Sequence, residues 1–266
     1  MIGIFDSGVG GLTVVKEIFR HLPDYQIIYF GDAARLPYGT KGAEFVRKYS
    51  AKIAEWLLGK KAKIIIIACN TSSAFASDSL KNKFRNVPIF EMINPAVKEA
   101  VKKTKNKRIG IIGTPGTIKS NSYQKKLLKL NPSLKIFSEA CPLFVPLVEE
   151  GWIDNEITIK IIKKYLESLK GKGVDTLILG CTHYPLLKKT IEKIIGPNVN
   201  VINPAESLAK EVKEYLNNNS KLQKEIKKGS RHNFFFSDEP YNLEKISRLC
   251  LSRVIKNPYI KDPFNN

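Results

Sequence analysis

An apolar run that ends in small and polar residues, IIIIACNT, occupies residues 64–71. A short run of β-branched residues of this kind is typical of a strand buried on both faces of a parallel sheet. A matching run, LILGCTH, occupies residues 177–183. The two runs place Cys69 and Cys181 at corresponding positions, so they predict two related strands that are each followed by a cysteine.

Two further pairs of segments repeat in the same order. Residues 2–4 and 109–111 both read IGI and precede a glycine-containing turn, and INPA occurs at 93–96 and again at 202–205. The three pairs are separated by 107, 112 and 109 residues. Because both order and spacing are kept, we interpret the chain as a duplicated unit.

Short β-rich runs alternate with segments of helical period, which is typical of α/β architecture with parallel strands. An apolar helical period covers residues 42–58, with Gly59 as its expected stop, and an amphipathic helix is expected near 239–254. The predicted strands are 2–5, 26–30, 63–68, 88–91, 108–112, 135–138, 175–180, 199–202 and 234–236.

The repeat predicts an α/β fold with two similar parallel-sheet lobes related by pseudo-twofold symmetry, and an active site in the cleft between them. The first lobe is expected at residues 1–95 and the second at 96–207. Residues 208–266 do not resemble a third domain. We expect this tail to complete the first lobe as an added strand and helix.

The chain is strongly basic, with 44 Lys+Arg against 25 Asp+Glu and a formal net charge of +19 over 266 residues. Only eight of the basic residues are arginine, and they do not cluster with aromatic residues as they often do in nucleic-acid sites. We therefore interpret the charge as surface lysine and expect no nucleic-acid partner. A positive field of this kind favours small anionic substrates.

Several classes of protein are disfavoured. The longest strongly apolar run, residues 64–69, is too short to span a bilayer, and no secretory signal precedes the first strand. The four cysteines form no CxxC pair and do not cluster with the three histidines. We expect a cytoplasmic protein with reduced thiols, no membrane segment and no metal.

Both repeated cysteines are expected at the carboxyl ends of parallel strands, where ligands bind in open α/β sheets. Helix N-termini there, with residues 70–73 as capping residues after Cys69, are expected to lower the pKa of the thiols. The pseudo-twofold axis would set Cys69 and Cys181 on opposite walls of the cleft. One thiol could then remove a proton from a carbon while the other adds one on the opposite face, as in a racemase or epimerase. Cys141 and Cys250 lack this setting and are expected to be packing residues.

Other residues are expected at the same cleft. The turn DSGVGG at 6–11 lacks the spacing of a dinucleotide site, and we interpret it as presenting the carboxylate of Asp6 and the hydroxyl of Ser7. Residues 113–117 would present hydroxyls from the second lobe, and residues 32–39 would form an ordered loop at the rim. His183 is either a capping or core histidine or a proton partner of Cys181.

With these segments assembled, the chain resembles the cofactor-independent aspartate/glutamate racemases from residue 2 to about residue 205. The motifs that carry the resemblance are DSGVGGLTV at 6–14, PYG at 37–39, ACNT at 68–71, CPLFVPL at 141–147 and GCTHYPLL at 180–187. The resemblance implies interconversion of L- and D-glutamate without pyridoxal phosphate, metal or other cofactor. It further implies a cytoplasmic enzyme that supplies D-glutamate for bacterial peptidoglycan.

The resemblance also implies roles for individual residues. Cys69 would serve the D enantiomer with help from Asp6, and Cys181 the L enantiomer with help from His183. One of two adjacent carboxylates, Glu149 or Glu150, would assist further, and we choose Glu149. The substrate contacts implied in the same way are Asp6, Ser7, Tyr38, Gly39, Asn70, Thr71, Thr114, Thr117, Thr182 and His183.

Three other functions stay open at this point. An aspartate racemase would share the chemistry and differ in the depth of the cleft. A thiol–disulfide redox protein is disfavoured because redox cysteines usually lie close in sequence, and a nucleic-acid-binding module is suggested only by the net charge. The resemblance implies a homodimer as one assembly that the chain could form.

Overall fold

The structure is a computed structural model, and it describes residues 1–264. The first part of the chain forms β1 (Ile2–Asp6), α1 (Leu12–His21), β2 (Ile27–Gly31), α2 (Ala43–Gly59), β3 (Ile64–Ile67), α3 (Asn70–Lys83), β4 (Ile89–Glu91) and α4 (Ile93–Lys103). The second part forms β5 (Arg108–Gly113), α5 (Pro115–Lys119), α6 (Ser122–Leu130), β6 (Lys135–Ala140), α7 (Phe144–Glu149), α8 (Glu156–Gly171), β7 (Thr176–Gly180), α9 (Lys188–Ile195) and β8 (Asn200–Ile202). The remaining elements are α10 (Pro204–Asn217), α11 (Ser220–Glu225), β9 (Asn233–Phe236), α12 (Leu243–Leu251) and β10 (Tyr259–Ile260).

The strands form two sheets in which each recorded strand pair is parallel. Their orders are β10-β9-β2-β1-β3-β4 and β6-β5-β7-β8. The part β2-β1-β3-β4 of the first sheet has the same connectivity as the whole second sheet. The predicted α/β fold with two related parallel-sheet lobes is therefore confirmed.

The tail adds two strands to the first sheet. β9 pairs with β2, and β10 pairs with β9 at the outer edge. The strand predicted at 234–236 is present as β9, and the helix expected near 239–254 is α12, whereas β10 was not predicted. The lobe boundaries at 95/96 and 207/208 stay a prediction.

Burial explains why the isoleucine run forms a strand. Ile64 and Ile66 pack on the face of the sheet that α1 covers, while Ile65 and Ile67 pack on the face covered by α2 and α3. All four side chains are fully buried, and each contributes about 1.5–3 kcal/mol of hydrophobic stabilisation. The apolar cluster on the α1 side also contains residues of the second lobe, such as Leu177, so the two lobes share one core.

Two absences apply to the described part of the chain. Within residues 1–264, no helix is both long enough and apolar enough to cross a bilayer. The same residues contain no group of three or more His, Cys, Asp and Glu side chains arranged to hold a metal ion.

Candidate active site

The carboxyl ends of the central strands of both sheets meet at one narrow cavity, with a water-accessible volume of about 30 Å³. Its wall includes most of the predicted site residues, namely Ser7, Tyr38, Gly39, Cys69, Asn70, Thr71, Thr114, Glu149, Cys181, Thr182 and His183. Leu36, Val145 and Gly180 also line it; they lie in the predicted rim loop and in the motifs at 141–147 and 180–187, but no individual role was predicted for them. These residues carry no reactive group that a sequence pattern could reveal.

Cys69 follows β3 and is itself the N-cap of α3. Its Sγ accepts a hydrogen bond from the backbone N–H of Ser72 at 3.4 Å, so the prediction that residues 70–73 would cap this helix is wrong. Burial raises the pKa of the Cys69 thiol to about 12, and the nearby Asp6 carboxylate adds to the increase. The hydrogen bond from Ser72 opposes this effect but is weaker than the loss of hydration. The predicted lowering of the Cys69 pKa is therefore wrong for the closed cavity.

Cys181 occupies the corresponding place after β7, but its surroundings differ. The residues that follow form a turn and a short 3-10 helix, Tyr184–Leu187, and α9 begins only at Lys188. The expectation that Cys181 would lie at an α-helix N-terminus is therefore wrong. Its polar neighbour is instead His183, whose Nδ1 lies 3.8 Å from Sγ.

His183 connects Cys181 to a carboxylate. Its Nε2 lies 3.0 Å from Oε1 of Glu149, at the end of α7. Burial lowers the pKa of His183, but the contacts with Cys181 and Glu149 outweigh this effect and raise it to about 10. The ring is therefore protonated at neutral pH. Glu150 is exposed and absent from the cavity wall, so of the two adjacent carboxylates only Glu149 reaches the cavity.

Asp6 lies behind the cavity wall. Its carboxylate is fully buried and accepts hydrogen bonds from the Gly8 N–H at 3.1 Å and from the Thr182 hydroxyl at 3.4 Å. Burial raises its pKa. Asp6 is not among the residues that line the cavity, and its contact with substrate stays a prediction. Its bond to Thr182 instead connects the glycine-rich turn of the first lobe to the second lobe.

Three threonine hydroxyls form a second connection between the lobes. Thr71 lies 3.0 Å from both Thr114 and Thr117, and those two lie 3.0 Å from each other. Thr71 and Thr114 line the cavity, whereas Thr117 lies behind them. A hydroxyl can both donate and accept, so this triad can rearrange when a polar ligand enters.

Asn70 provides a buried donor. Its Oδ1 accepts a hydrogen bond from the Tyr123 hydroxyl at 2.6 Å, but its Nδ2 has no partner within residues 1–264. A buried N–H group that lacks an acceptor costs about 1–3 kcal/mol, so such groups are rare unless a ligand completes them. Because Asn70 lines the cavity, its amide can bind an anionic or carbonyl oxygen there.

Gly39 brings the first lobe against the second. A Cβ atom at this position would lie 2.6 Å from Cβ of Thr114, which is closer than real Cβ atoms approach. The rim loop predicted at 32–39 is present, and its residues 36–39 line the cavity. Only glycine therefore allows the lobes to close at this point.

Comparisons with known proteins agree with this geometry. A model of the family described as Asp/Glu/Hydantoin racemase matches residues 2–212. This chain belongs to that family. The racemase assignment that the motifs implied is thus confirmed, and it makes the chain a member of an isomerase family.

The similarity to individual family members extends along the whole chain. A glutamate racemase of Geobacter metallireducens is 45% identical over 258 residues, which are 97% of this chain and 95% of the relative. The crystal structure of a glutamate racemase isoform of Bacillus anthracis has a TM-score of 0.93 and 38% identity, and covers 100% of this chain and 98% of that one. A glutamate racemase of Francisella tularensis in complex with D-glutamate has a TM-score of 0.89 and 36% identity, with 97% and 96% covered.

Proposed function

We propose that this family member is a cytoplasmic glutamate racemase, which interconverts L- and D-glutamate without a cofactor and supplies D-glutamate for peptidoglycan. The observation that carries the proposal is the position of Cys69 and Cys181. They come from equivalent strand ends of two related lobes and line the same cavity. A two-base racemisation needs proton carriers of this kind on two sides of one carbon.

The proton transfer uses the two thiol groups in turn. In the L-to-D direction, Cys181 as thiolate takes the Cα proton, and the Cys69 thiol gives its own proton to the other face. In the D-to-L direction, Cys69 takes the proton and Cys181 gives one. Because a pKa of about 12 keeps the Cys69 thiol protonated at neutral pH, Cys69 can donate a proton to Cα in the closed site before substrate turnover begins.

The carbanion formed at Cα must be stabilised by the site itself, since the Cα–H of an amino acid is a very weak acid. The Asn70 amide, whose Nδ2 has no partner among the described residues, and the threonine hydroxyls can bind the substrate carboxylates in this narrow cavity. Fixed donors in such a site stabilise developing charge better than water does. The ion pair of His183 with Glu149 places a protonated imidazole beside Cys181. Nδ1 of this imidazole can donate a hydrogen bond to the Cys181 sulfur.

The closed cavity also implies motion. A water-accessible volume of about 30 Å³ exceeds the roughly 10–15 Å³ that one water needs on the same measure, but it is small for a molecule with two carboxylates and an amino group. Substrate exchange therefore requires the lobes to separate, and catalysis requires them to close. The contact of Gly39 with Thr114 and the bond between Asp6 and Thr182 are interactions that opening would break.

The substrate is proposed as glutamate because the curated relative and both crystal structures described above are named glutamate racemases. The test incubates the purified, reduced protein with L-glutamate in D2O without added cofactor and follows optical rotation together with loss of the Cα proton signal. Decay of rotation with deuterium entering D-glutamate is expected. A parallel incubation with L-aspartate is the control, and faster turnover of aspartate would overturn the choice of substrate.

A further inference from the structure

Polar residues follow four neighbouring strands of the first sheet at their carboxyl ends. Ser7 follows β1, Asp32 follows β2, Ser237 follows β9, and Asp262 lies two residues after β10. Because these strands are parallel, all four residues lie along one edge of the sheet. The cavity lies at the Ser7 end of this row, and the C-terminal segment lies at the other.

Asp32 is the centre of this row. Its carboxylate is fully buried and accepts hydrogen bonds from the Tyr38 hydroxyl at 2.5 Å, from Nη1 of Arg35 at 2.7 Å and from the Ser237 hydroxyl at 2.7 Å. A buried carboxylate is tolerated when it is paired and hydrogen-bonded in this way. Asp32 thus holds Tyr38, which lines the cavity, to a residue of the tail.

Arg35 joins Asp32 to Asp262, in the segment that follows β10. Its Nη2 donates to Oδ2 of Asp262 at 2.5 Å, and its guanidinium lies 4.4 Å from the ring centre of Tyr49 and 5.5 Å from that of Phe264. The side chain of Arg35 is 9% exposed and that of Asp262 is 12% exposed. The planar guanidinium group is suited to bridging two carboxylates. Because the Arg35 side chain is nearly buried, its ion pairs with Asp32 and Asp262 are both shielded from solvent.

We propose that Asp262 is a positioning residue of the active site, which acts through Arg35 and Asp32 to hold Tyr38 and Gly39 against the cavity. The rim loop has no strand or α-helix of its own and contains only short 3-10 turns. Its order therefore depends on the polar groups that anchor it. The C-terminal segment supplies two of these anchors, Ser237 and Asp262, from positions distant in sequence. The inference rests on the proposed function, since it assigns Tyr38 and Gly39 to the substrate site.

The test compares Asp262→Asn with the wild-type chain. Asparagine has the same shape, and its oxygen can keep the hydrogen bond that Phe264 N–H gives Oδ1 at 3.0 Å. Its NH2 group then faces Nη2 of Arg35, so the change removes both the charge and the hydrogen-bond acceptor opposite Arg35. Binding of substrate must then order a looser loop, whereas the positions of the thiols after β3 and β7 are unaffected. We expect KM for glutamate to rise about tenfold, equivalent to about 1.4 kcal/mol, with kcat changed less than about twofold.

Two variants and one physical measurement complete the design. Asp262→Glu restores the charge and is expected to recover KM to within about twofold of the wild-type value. Lys261→Gln changes an exposed neighbour and is expected to leave KM unaltered. Hydrogen–deuterium exchange of the amides of residues 33–40 is expected to be about tenfold faster in Asp262→Asn only.

The outcomes separate the two proposals. Unchanged KM and unchanged amide exchange in Asp262→Asn overturn the positioning role, and so does a lower melting temperature without either change. If the wild-type chain does not racemise glutamate, the proposed function fails. The exchange comparison still decides in that case whether Asp262 holds the rim loop.

Discussion

Glu149 and His183 form an ion pair in the second lobe, with 3.0 Å between Oε1 and Nε2. The other ring nitrogen of His183 lies 3.8 Å from the sulfur of Cys181. Among the described residues, Cys69 has no such ion pair beside it, and its Sγ instead accepts a hydrogen bond from the Ser72 N–H. The two corresponding strand ends therefore differ in the polar groups around their thiols, which fits the proposed roles of these thiols toward opposite enantiomers.

We expect Cys69→Ser and Cys181→Ser each to lower racemisation by about 10³-fold or more, because a hydroxyl is a far poorer base than a thiol. Each variant retains one thiol base. Cys69→Ser should therefore still eliminate a leaving group from an L-glutamate analogue, and Cys181→Ser from the D analogue. Chiral chromatography of glutamate measures racemisation, and the oxo acid that forms when the elimination product hydrolyses measures elimination. Cys250→Ala, which removes a buried thiol outside the cavity, is the matched control, and full racemisation by either serine variant would refute the two-thiol mechanism.

Glu149→Gln is expected to lower the pKa of His183, which burial lowers but the contacts with Cys181 and Glu149 raise to about 10. The raised pKa stabilises the folded chain. This contribution is complete below the ordinary histidine pKa of about 6.5 and disappears as pH rises through about 10. The variant should therefore be least stable, relative to wild type, below pH 6.5, and the difference should vanish above pH 10.

NMR titration of the His183 side chain and urea unfolding at several pH values measure these two effects. Glu150→Gln, at the exposed neighbouring position, should change neither. Racemisation of L-glutamate is expected to fall at least about tenfold in Glu149→Gln alone. Equal behaviour of the two variants would show that Glu149 does not support His183.

Gly39→Ala is expected to hold the lobes apart, because its Cβ would lie 2.6 Å from Cβ and 2.9 Å from Oγ1 of Thr114. The alanine is compatible with the backbone, so thermal stability should change little, while kcat/KM should fall at least about tenfold. Gly42→Ala, three residues away and with nothing within 4 Å of the added methyl group, is the matched control. Steady-state kinetics with a melting curve for each variant measures both quantities. Normal activity of Gly39→Ala would mean that this contact is not needed for closure.

Alkylation of Cys69 by iodoacetamide should rise about tenfold for each unit of pH between 7 and 9, because only the thiolate reacts and burial raises the thiol pKa to about 12. Peptide mass mapping resolves Cys69 from the other cysteines. Cys250, whose pKa burial also raises to about 12, provides the buried reference in the same digest. If the alkylation rate of Cys69 stopped rising below pH 9, the thiol would be reacting from an open form of the protein in which its sulfur is hydrated.

The sequence was sufficient for the parts of the fold that depend on local patterns. Buried parallel strands are continuous apolar runs, so β3 and β7 could be located, and their repetition identified Cys69 and Cys181. β10 was missed because a two-residue strand leaves no period to detect. The choice between Glu149 and Glu150 required the rotation of α7, which depends on how that short helix packs.

The site features that were predicted wrongly depend on tertiary structure. The helix after Cys181 was expected by analogy with Cys69, but the chain first forms a 3-10 helix that contains Pro185, and α9 starts later. The sign of the Cys69 pKa shift reverses because burial, in a cluster with Tyr38 and Val46, removes water from the sulfur. Arg35 and Asp262 are separated by 227 residues, and no local pattern distinguishes this arginine from the others.

The strand order of the first sheet has a consequence for synthesis of the chain. The second sheet is made entirely from residues 108–202, whereas the first sheet needs strands from residue 2 to residue 260. During translation the second lobe can therefore complete its hydrogen-bonded sheet while β2 still presents an open edge. The lobe that begins the chain is the last to be finished, and β2 stays open to unwanted strand pairing until the ribosome has released β9.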